Sequence, residues 1–152
     1  MRAGLAAPAE TFEFFSDAAN LEALTPAFLH LRILTPLPIE MREGALIAYR
    51  LSLFGIPLHW LTRIDEWTPG RGFVDRQLRG PYALWIHRRR FEACGSGTRV
   101  HDRVEYALPL DPWSRPAHPL WVRPTVKRIF AFRREAIARR LGDRASPVAR
   151  GA

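Results

Sequence analysis

The sequence predicts an α+β fold: a curved antiparallel sheet of about six to seven strands wrapped around one long C-terminal helix, with two short helices near the N-terminus. Three observations predict it. Between Leu29 and Leu108, apolar residues recur at alternate positions in runs separated by Gly- and Pro-containing turns. From about Thr125 to Leu141 the period changes, and Val126, Ile129, Phe130, Ile137 and Leu141 fall on one helical stripe. Ahead of the strand runs, Pro8–Phe15 and Ala18–Leu24 carry helix-start signals.

Met1 to Ala6 is short enough to be the stump of a first strand. The first helix opens on Pro8, has Glu10 in its first turn, and places Phe12 and Phe15 on one side. Asp17 is a cap for the second helix, which Thr25-Pro26 ends. Leu29, Leu31 and Ile33 suggest a strand, stopped by Pro36 and Pro38. After the Glu43-Gly44 turn, Ala45–Phe54 puts Leu46, Ala48, Arg50 and Ser52 on one face and Ile47, Tyr49, Leu51 and Leu53 on the other. Gly55 turns the chain into Leu58–Trp67, which Thr68-Pro69-Gly70 ends. Phe73–Arg79, Ala83–Ala93 and Arg99–Leu108 complete an antiparallel meander.

A connector from Asp111 to Pro124 is rich in proline and carries Trp113 and Trp121, as a lid or as plugs beneath a loop. Gly142 is the expected end of the last helix. The domain is therefore read as 1–141, with 142–152 a disordered tail. A helix with an apolar stripe must pack on the inner face of the sheet, and a curved sheet gripping it leaves a pocket between them.

At 152 residues, 47% hydrophobic and 25% charged, the chain has the length and balance of one globular domain. The single Cys94 excludes an intrachain disulfide framework and a cysteine metal cluster. No run of about 18 apolar residues suggests a membrane span, and Met1–Ala9 has no signal-peptide core, so the expected location is the cytoplasm. The formal charge is +8, and Lys127 is the single lysine among 23 basic residues, a bias that reads as a GC-rich coding background. Lys127, Arg128, Arg133, Arg134, Arg139 and Arg140 read as the solvated face of the last helix; no nucleic-acid motif accompanies them, and no nucleic-acid partner is expected. A peripheral contact of that face with anionic membranes stays open. His30, His59, His87, His101 and His118 lack metal-ligand spacing, and phosphate-binding loops and nucleophile elbows are missing, so neither metal nor cofactor is expected.

The chemistry concentrates between Phe73 and Tyr106. Trp85, His87, Arg89 and Phe91 alternate on one strand, and Val100, Asp102, Val104, Tyr106 and Leu108 on the next. A plain hairpin through Cys94-Gly95-Ser96-Gly97 sets Arg89 opposite Asp102 and His87 opposite Val104. If Gly80-Pro81-Tyr82 forms the preceding loop, Asp75 lies opposite His87; a two-residue loop would pair Asp75 with Ile86 instead. A core-facing surface with Asp, His, Arg and Asp on it is either a self-paired structural network or the wall of a polar-lined cavity.

These features resemble the START-like SRPBCC superfamily, with its helix-grip fold, and within it the small bacterial ligand-binding and polyketide cyclase-like proteins. The resemblance is carried by Phe14-Phe15-Ser16-Asp17, Asn20-Leu21, Leu24-Thr25-Pro26, Trp60, Thr62-Arg63-Ile64, Trp67 and Pro69. It continues through Phe73-Val74-Asp75, Gln77, Gly80-Pro81-Tyr82, Trp85, His87, Phe91, Gly97-Thr98, Asp102 and Val104, and spans most of Pro8 to Leu141. Two departures stand out: Arg89 replaces a histidine often found two places after the first, and the first strand is short.

The resemblance implies a deep cavity for a hydrophobic or amphipathic molecule, such as a lipid or polyketide. Trp60, Trp67, Phe73, Trp85, Phe91, Val104 and Tyr106 are candidates for its apolar wall, and Gln77, Tyr82, His87, Arg89 and Asp102 for its polar contacts. One reading is a non-enzymatic binding protein or carrier. The other is a cyclase/dehydratase-like enzyme in which Asp75 tunes His87 for proton transfer and Arg89 holds a developing enolate. Arg89 in place of a second imidazole favours binding. Oligomeric state is not legible.

Overall fold

The computed structural model describes residues 2–3, 7–53, 55–95, 97–109 and 123–144. Helix α1 spans Pro8–Ser16 and α2 spans Asn20–Ala23; a 3-10 turn covers Ala27–Leu29. The strands are β1 (Arg2–Ala3), β2 (Arg32–Ile33), β3 (Leu46–Leu53), β4 (Ile56–Thr68), β5 (Gly72–Arg79), β6 (Leu84–Cys94) and β7 (Gly97–Ala107); α3 runs from Arg123 to Arg144. Five long strands form an antiparallel meander, and the two-residue β1 and β2 pair at its edges in the order β1-β7-β6-β5-β4-β3-β2. This is the expected α+β arrangement of a curved sheet, short N-terminal helices and a long C-terminal helix.

The strand registers follow from turn length. Cys94 pairs with Gly97, so the β6–β7 hairpin turns on two residues, with Gly95 at φ 62°. That positive φ is cheap for glycine and costly for residues with a side chain. The pairing sets Arg89 opposite Asp102 and His87 opposite Val104. The longer Gly80-Pro81-Tyr82 register holds between β5 and β6, with Asp75 opposite His87. Gln77 supports that loop: its Nε2 donates to the Tyr82 carbonyl at 2.6 Å, and its Oε1 accepts from Tyr82 N at 3.3 Å.

A bulge reconciles two tryptophans of opposite parity. Trp60, Thr62 and Ile64 alternate on the inner face, whereas Trp67 is odd-numbered. Between Ile64 and Glu66 the register against β5 slips by one residue at Asp65. The slip brings Trp67 inward against Phe12 and Phe73, at centroid distances of 5.0 and 5.7 Å. Asp65 turns to the outer face, where Arg63 and Arg76 donate to it at 2.7 and 2.6 Å.

The core lies at the α1 end of the sheet. Phe12, Phe14, Phe15 and Leu24 meet Phe73, Phe91 and Val100 from the strands and Ala136 and Ile137 from α3. Thr11, fully buried on α1, donates its hydroxyl to Thr98 on β7 at 3.3 Å.

Several boundaries differ from the sequence expectation. Leu29 belongs to the 3-10 turn and not to a strand; with Pro26 before the turn and His30 left-handed after it (φ 46°), the strand starts only at Arg32. The second helix is the shorter Asn20–Ala23, because Asp17 Oδ1 accepts from Ala19 N at 2.9 Å in a local turn that precedes it. Gly142 does not end α3, which continues to Arg144; a glycine stops a helix only where the chain takes the left-handed conformation. The connector with Trp113 and Trp121 and the tail 145–152 lie outside the described residues. Among the described residues no helix is long and apolar enough to cross a membrane.

Candidate functional site

The apolar stripe of α3 divides in function. Ala136 and Ile137, toward its C-terminal end, are buried against the aromatic core. Val126, Ile129 and Phe130, toward its N-terminal end, instead line a cavity of about 180 Å³ over the inner face of the sheet. The strands supply Ile47, Tyr49, Leu51 and Leu53 from β3, Leu58, Trp60, Thr62 and Ile64 from β4, and Phe73 and Asp75 from β5. Trp85, His87 and Arg89 come from β6, while Leu21, Leu24 and Leu29 close the side toward the short helices. Alternation determines these sets: each strand offers every second residue to the same face.

The polar residues form one connected group. His87 Nδ1 lies 3.2 Å from Asp75 Oδ1, and His87 Nε2 lies 3.0 Å from Asp102 Oδ1. The same Asp102 oxygen accepts from Arg89 Nε at 2.6 Å. His87 and Arg89 are buried, at 6% and 5% exposure. The Arg89 guanidinium stacks over Phe15, 4.4 Å from the ring centre, and Phe130 of α3 meets the His87 ring edge-on at 6.0 Å. Burial by itself would raise the Asp102 carboxyl; the Arg89 charge and the His87 hydrogen bond outweigh it and hold the group well below the usual carboxylate range.

Arg133 is the residue that sequence reasoning placed wrongly. The charge pattern assigns it to the solvated face of α3, yet it lines the cavity. Lys127, Arg128, Arg134 and Arg139 are exposed as expected. The signal lay in spacing: Arg133 is three residues after Phe130 and four from both Ile129 and Ile137, on the buried stripe itself. Its guanidinium lies 5.8 Å from the Phe130 ring centre. Burial and the neighbouring Arg89 charge pull it below the usual arginine value, while Asp102, Tyr49 and Asp75 act the other way.

Three buried side-chain polar atoms have no hydrogen-bond partner among the described residues: Arg133 Nε, Trp60 Nε1 and Thr62 Oγ1. All three residues line the cavity. Tyr49 joins them, stacked on Trp60 with centroids 5.8 Å apart. The Thr62 hydroxyl stands close to the Tyr49 phenol but outside hydrogen-bonding geometry. Burial drives the Tyr49 phenol above the ordinary tyrosine range, so it stays protonated. An unmatched buried polar atom costs about 1–3 kcal/mol. Three around one cavity mark a place where a bound group or water completes the bonding.

Residues 27–141 match the family model "Domain of unknown function (DUF8410)". The chain belongs to the DUF8410 family. Among solved structures, it is similar to TTHA0849 from Thermus thermophilus (20% identity, 93% of each chain covered, TM-score 0.66). It is also similar to CV1439 from Chromobacterium violaceum (16%, 90% of each, 0.69) and to Ara h 8.0201 (15%, 94% of each, 0.65). At these identities the likeness speaks for a shared helix-grip-like fold alone. No curated protein matches the chain.

Within this DUF8410 domain, the sequence candidates separate into two groups. Trp60, Phe73, Tyr82, Trp85, His87 and Arg89 line the cavity, as does Asp75. Trp67 and Phe91 pack instead in the core beside Phe12. Asp102 stands behind His87 and Arg89 as their shared acceptor, and Val104 is their β7 neighbour opposite His87. Tyr106 backs Tyr82 and Trp85, with centroids at 5.8 and 6.1 Å. The Tyr82 phenol is pushed up to about 12 by burial and by Tyr106. Gln77 spends its amide on the Tyr82 loop. Trp60, Tyr82 and Trp85 form an aromatic corner, the closest pair 4.8 Å apart.

Proposed function

We propose that this protein binds or carries a hydrophobic or amphipathic small molecule, such as a lipid or polyketide, in the cavity between the sheet and α3, as a member of the START-like SRPBCC group. The observation that carries the reading is the cavity itself: about 180 Å³, walled by aliphatic residues of β3, β4 and α3 and by the Trp60–Tyr82–Trp85 corner. A cavity with a mostly apolar wall and few convergent polar groups is the usual form of a small-molecule site.

A cyclase/dehydratase-like enzyme using His87 and Asp75 is the second reading, favoured by the presence of both side chains in the cavity wall. Binding is the better supported of the two. Both His87 ring nitrogens already face carboxylates, Asp75 and Asp102, which leaves neither directed at a ligand. A general base must have a nitrogen within hydrogen-bond reach of the proton that it removes.

Native mass spectrometry of the purified protein, followed by organic extraction, tests the binding reading. A retained apolar molecule, released on unfolding, is the expected result. A protein that retains nothing and takes up neither long-chain alcohols nor long-chain acids when they are added would overturn it.

A further inference from the structure

The unmatched donors make the ligand's chemistry more specific. We infer that the cavity takes an amphipathic carboxylic acid, its carboxylate received by Arg133 and Thr62 beside Trp60 and its apolar chain lying along the β3 wall. This rests on the binding reading above and adds a ligand class to it.

Arg133 Nε–H and Trp60 Nε1–H can only donate, and the Thr62 hydroxyl can donate as well as accept. A partner shared by all three must therefore be an acceptor. Trp60 and Thr62 are themselves 7% and 4% exposed, so bulk solvent does not serve them. They are neighbours on one face of β4, and Tyr49 links them to the helix: it stacks on Trp60, stands close to Thr62, and lies near Arg133.

Charge favours an anion over a neutral acceptor. The carboxylates near Arg133 are already engaged, Asp102 by Arg89 and His87 and Asp75 by His87. Among the described residues none comes within ion-pair distance of Arg133. A half-buried guanidinium with its Nε enclosed and without a paired carboxylate is matched well by a planar, two-oxygen anion. Apolar Ile47, Leu51 and Leu53 then offer a path for the chain.

The test compares decanoate with 1-decanol, matched in chain and different in head group, by calorimetric titration. Wild type is expected to prefer decanoate by roughly ten- to a hundredfold. Arg133→Gln is expected to abolish that preference, costing far more affinity for decanoate than for decanol, and Thr62→Val to reduce it several-fold. Circular dichroism and a thermal melt verify that each variant is folded; if Arg133→Gln does not fold, the wild-type ratio together with Thr62→Val decides. Equal wild-type affinity for acid and alcohol, or a preference that survives Arg133→Gln, would overturn the carboxylate assignment and leave the binding reading standing. Failure of both ligands to bind would overturn the two together.

Discussion

Arg89 and Asp102 form the tightest ion pair on the inner face of the sheet, with Arg89 Nε 2.6 Å from Asp102 Oδ1 in directly opposed positions of β6 and β7. Because Arg89 is buried, removing its partner strands a guanidinium rather than merely losing a bond. Asp102→Ala is expected to destabilise the fold by about 3–5 kcal/mol, and Arg89→Ala by less, because the Asp102 side chain is partly exposed and keeps its bond to His87. The double variant should cost clearly less than the sum, since the second removal strands nothing new. Urea denaturation of the four proteins measures the coupling; strict additivity would mean that the pair does not act as a unit.

The same pair predicts an acid limb. The folded-state pKa of Asp102 is depressed, so below about pH 4, the ordinary carboxylate range, the unfolded chain takes up a proton that the folded chain resists. Its stabilising contribution is fully present above that range and is lost as pH falls through the folded value. Arg89 and His87 are the charged or titratable groups on it. Urea midpoints at pH 6 and pH 3 should fall more steeply for wild type than for Asp102→Asn. Parallel slopes would remove Asp102 as a source of the acid sensitivity.

Gly72 guards the position of Arg89. A Cβ built on Gly72 would collide with the Arg89 carbonyl and crowd the Arg90 backbone. Gly72→Ala should therefore push β6 away from β5 and cost about 1–3 kcal/mol. The expected readout is a lower thermal midpoint and displaced amide resonances around Arg89. A midpoint equal to wild type would show that the strands can separate freely there.

Filling the cavity should separate binding from stability. Leu51 is on β3 in the cavity wall. Leu51→Trp is expected to lower decanol affinity at least about tenfold by occupying ligand space, at a stability change within about 1–3 kcal/mol. A variant that binds decanol like wild type would place the ligand elsewhere.

Much of this architecture was legible because it is local. Alternation assigns Trp85, His87, Arg89 and Phe91 to one face, and a two-residue turn at Gly95 leaves one register for β7. The Asp75–His87 pairing hung on the length of the Gly80-Pro81-Tyr82 loop, and Gln77 is the side chain that holds that loop. The Leu29 turn and the end of α3 were less legible, because propensity sets such boundaries only weakly.

The sequence by itself determined the α+β class, the order of elements, the apolar stripe of α3 and which residues stand opposite one another in the β6–β7 hairpin. Periodicity and turn length are properties of neighbours along the chain, and they carry that much. Tertiary structure alone decided the rest. His87 gained its second carboxylate, Asp102, diagonally across β6 and β7, which depends on where side chains reach rather than on register. The donors of Trp60, Thr62 and Arg133 became unmatched partners around one cavity because α3 docks over β4 with Arg133 turned inward. Helical spacing puts Arg133 on the α3 stripe, but which strand residues that stripe meets is settled by packing between residues roughly seventy positions apart.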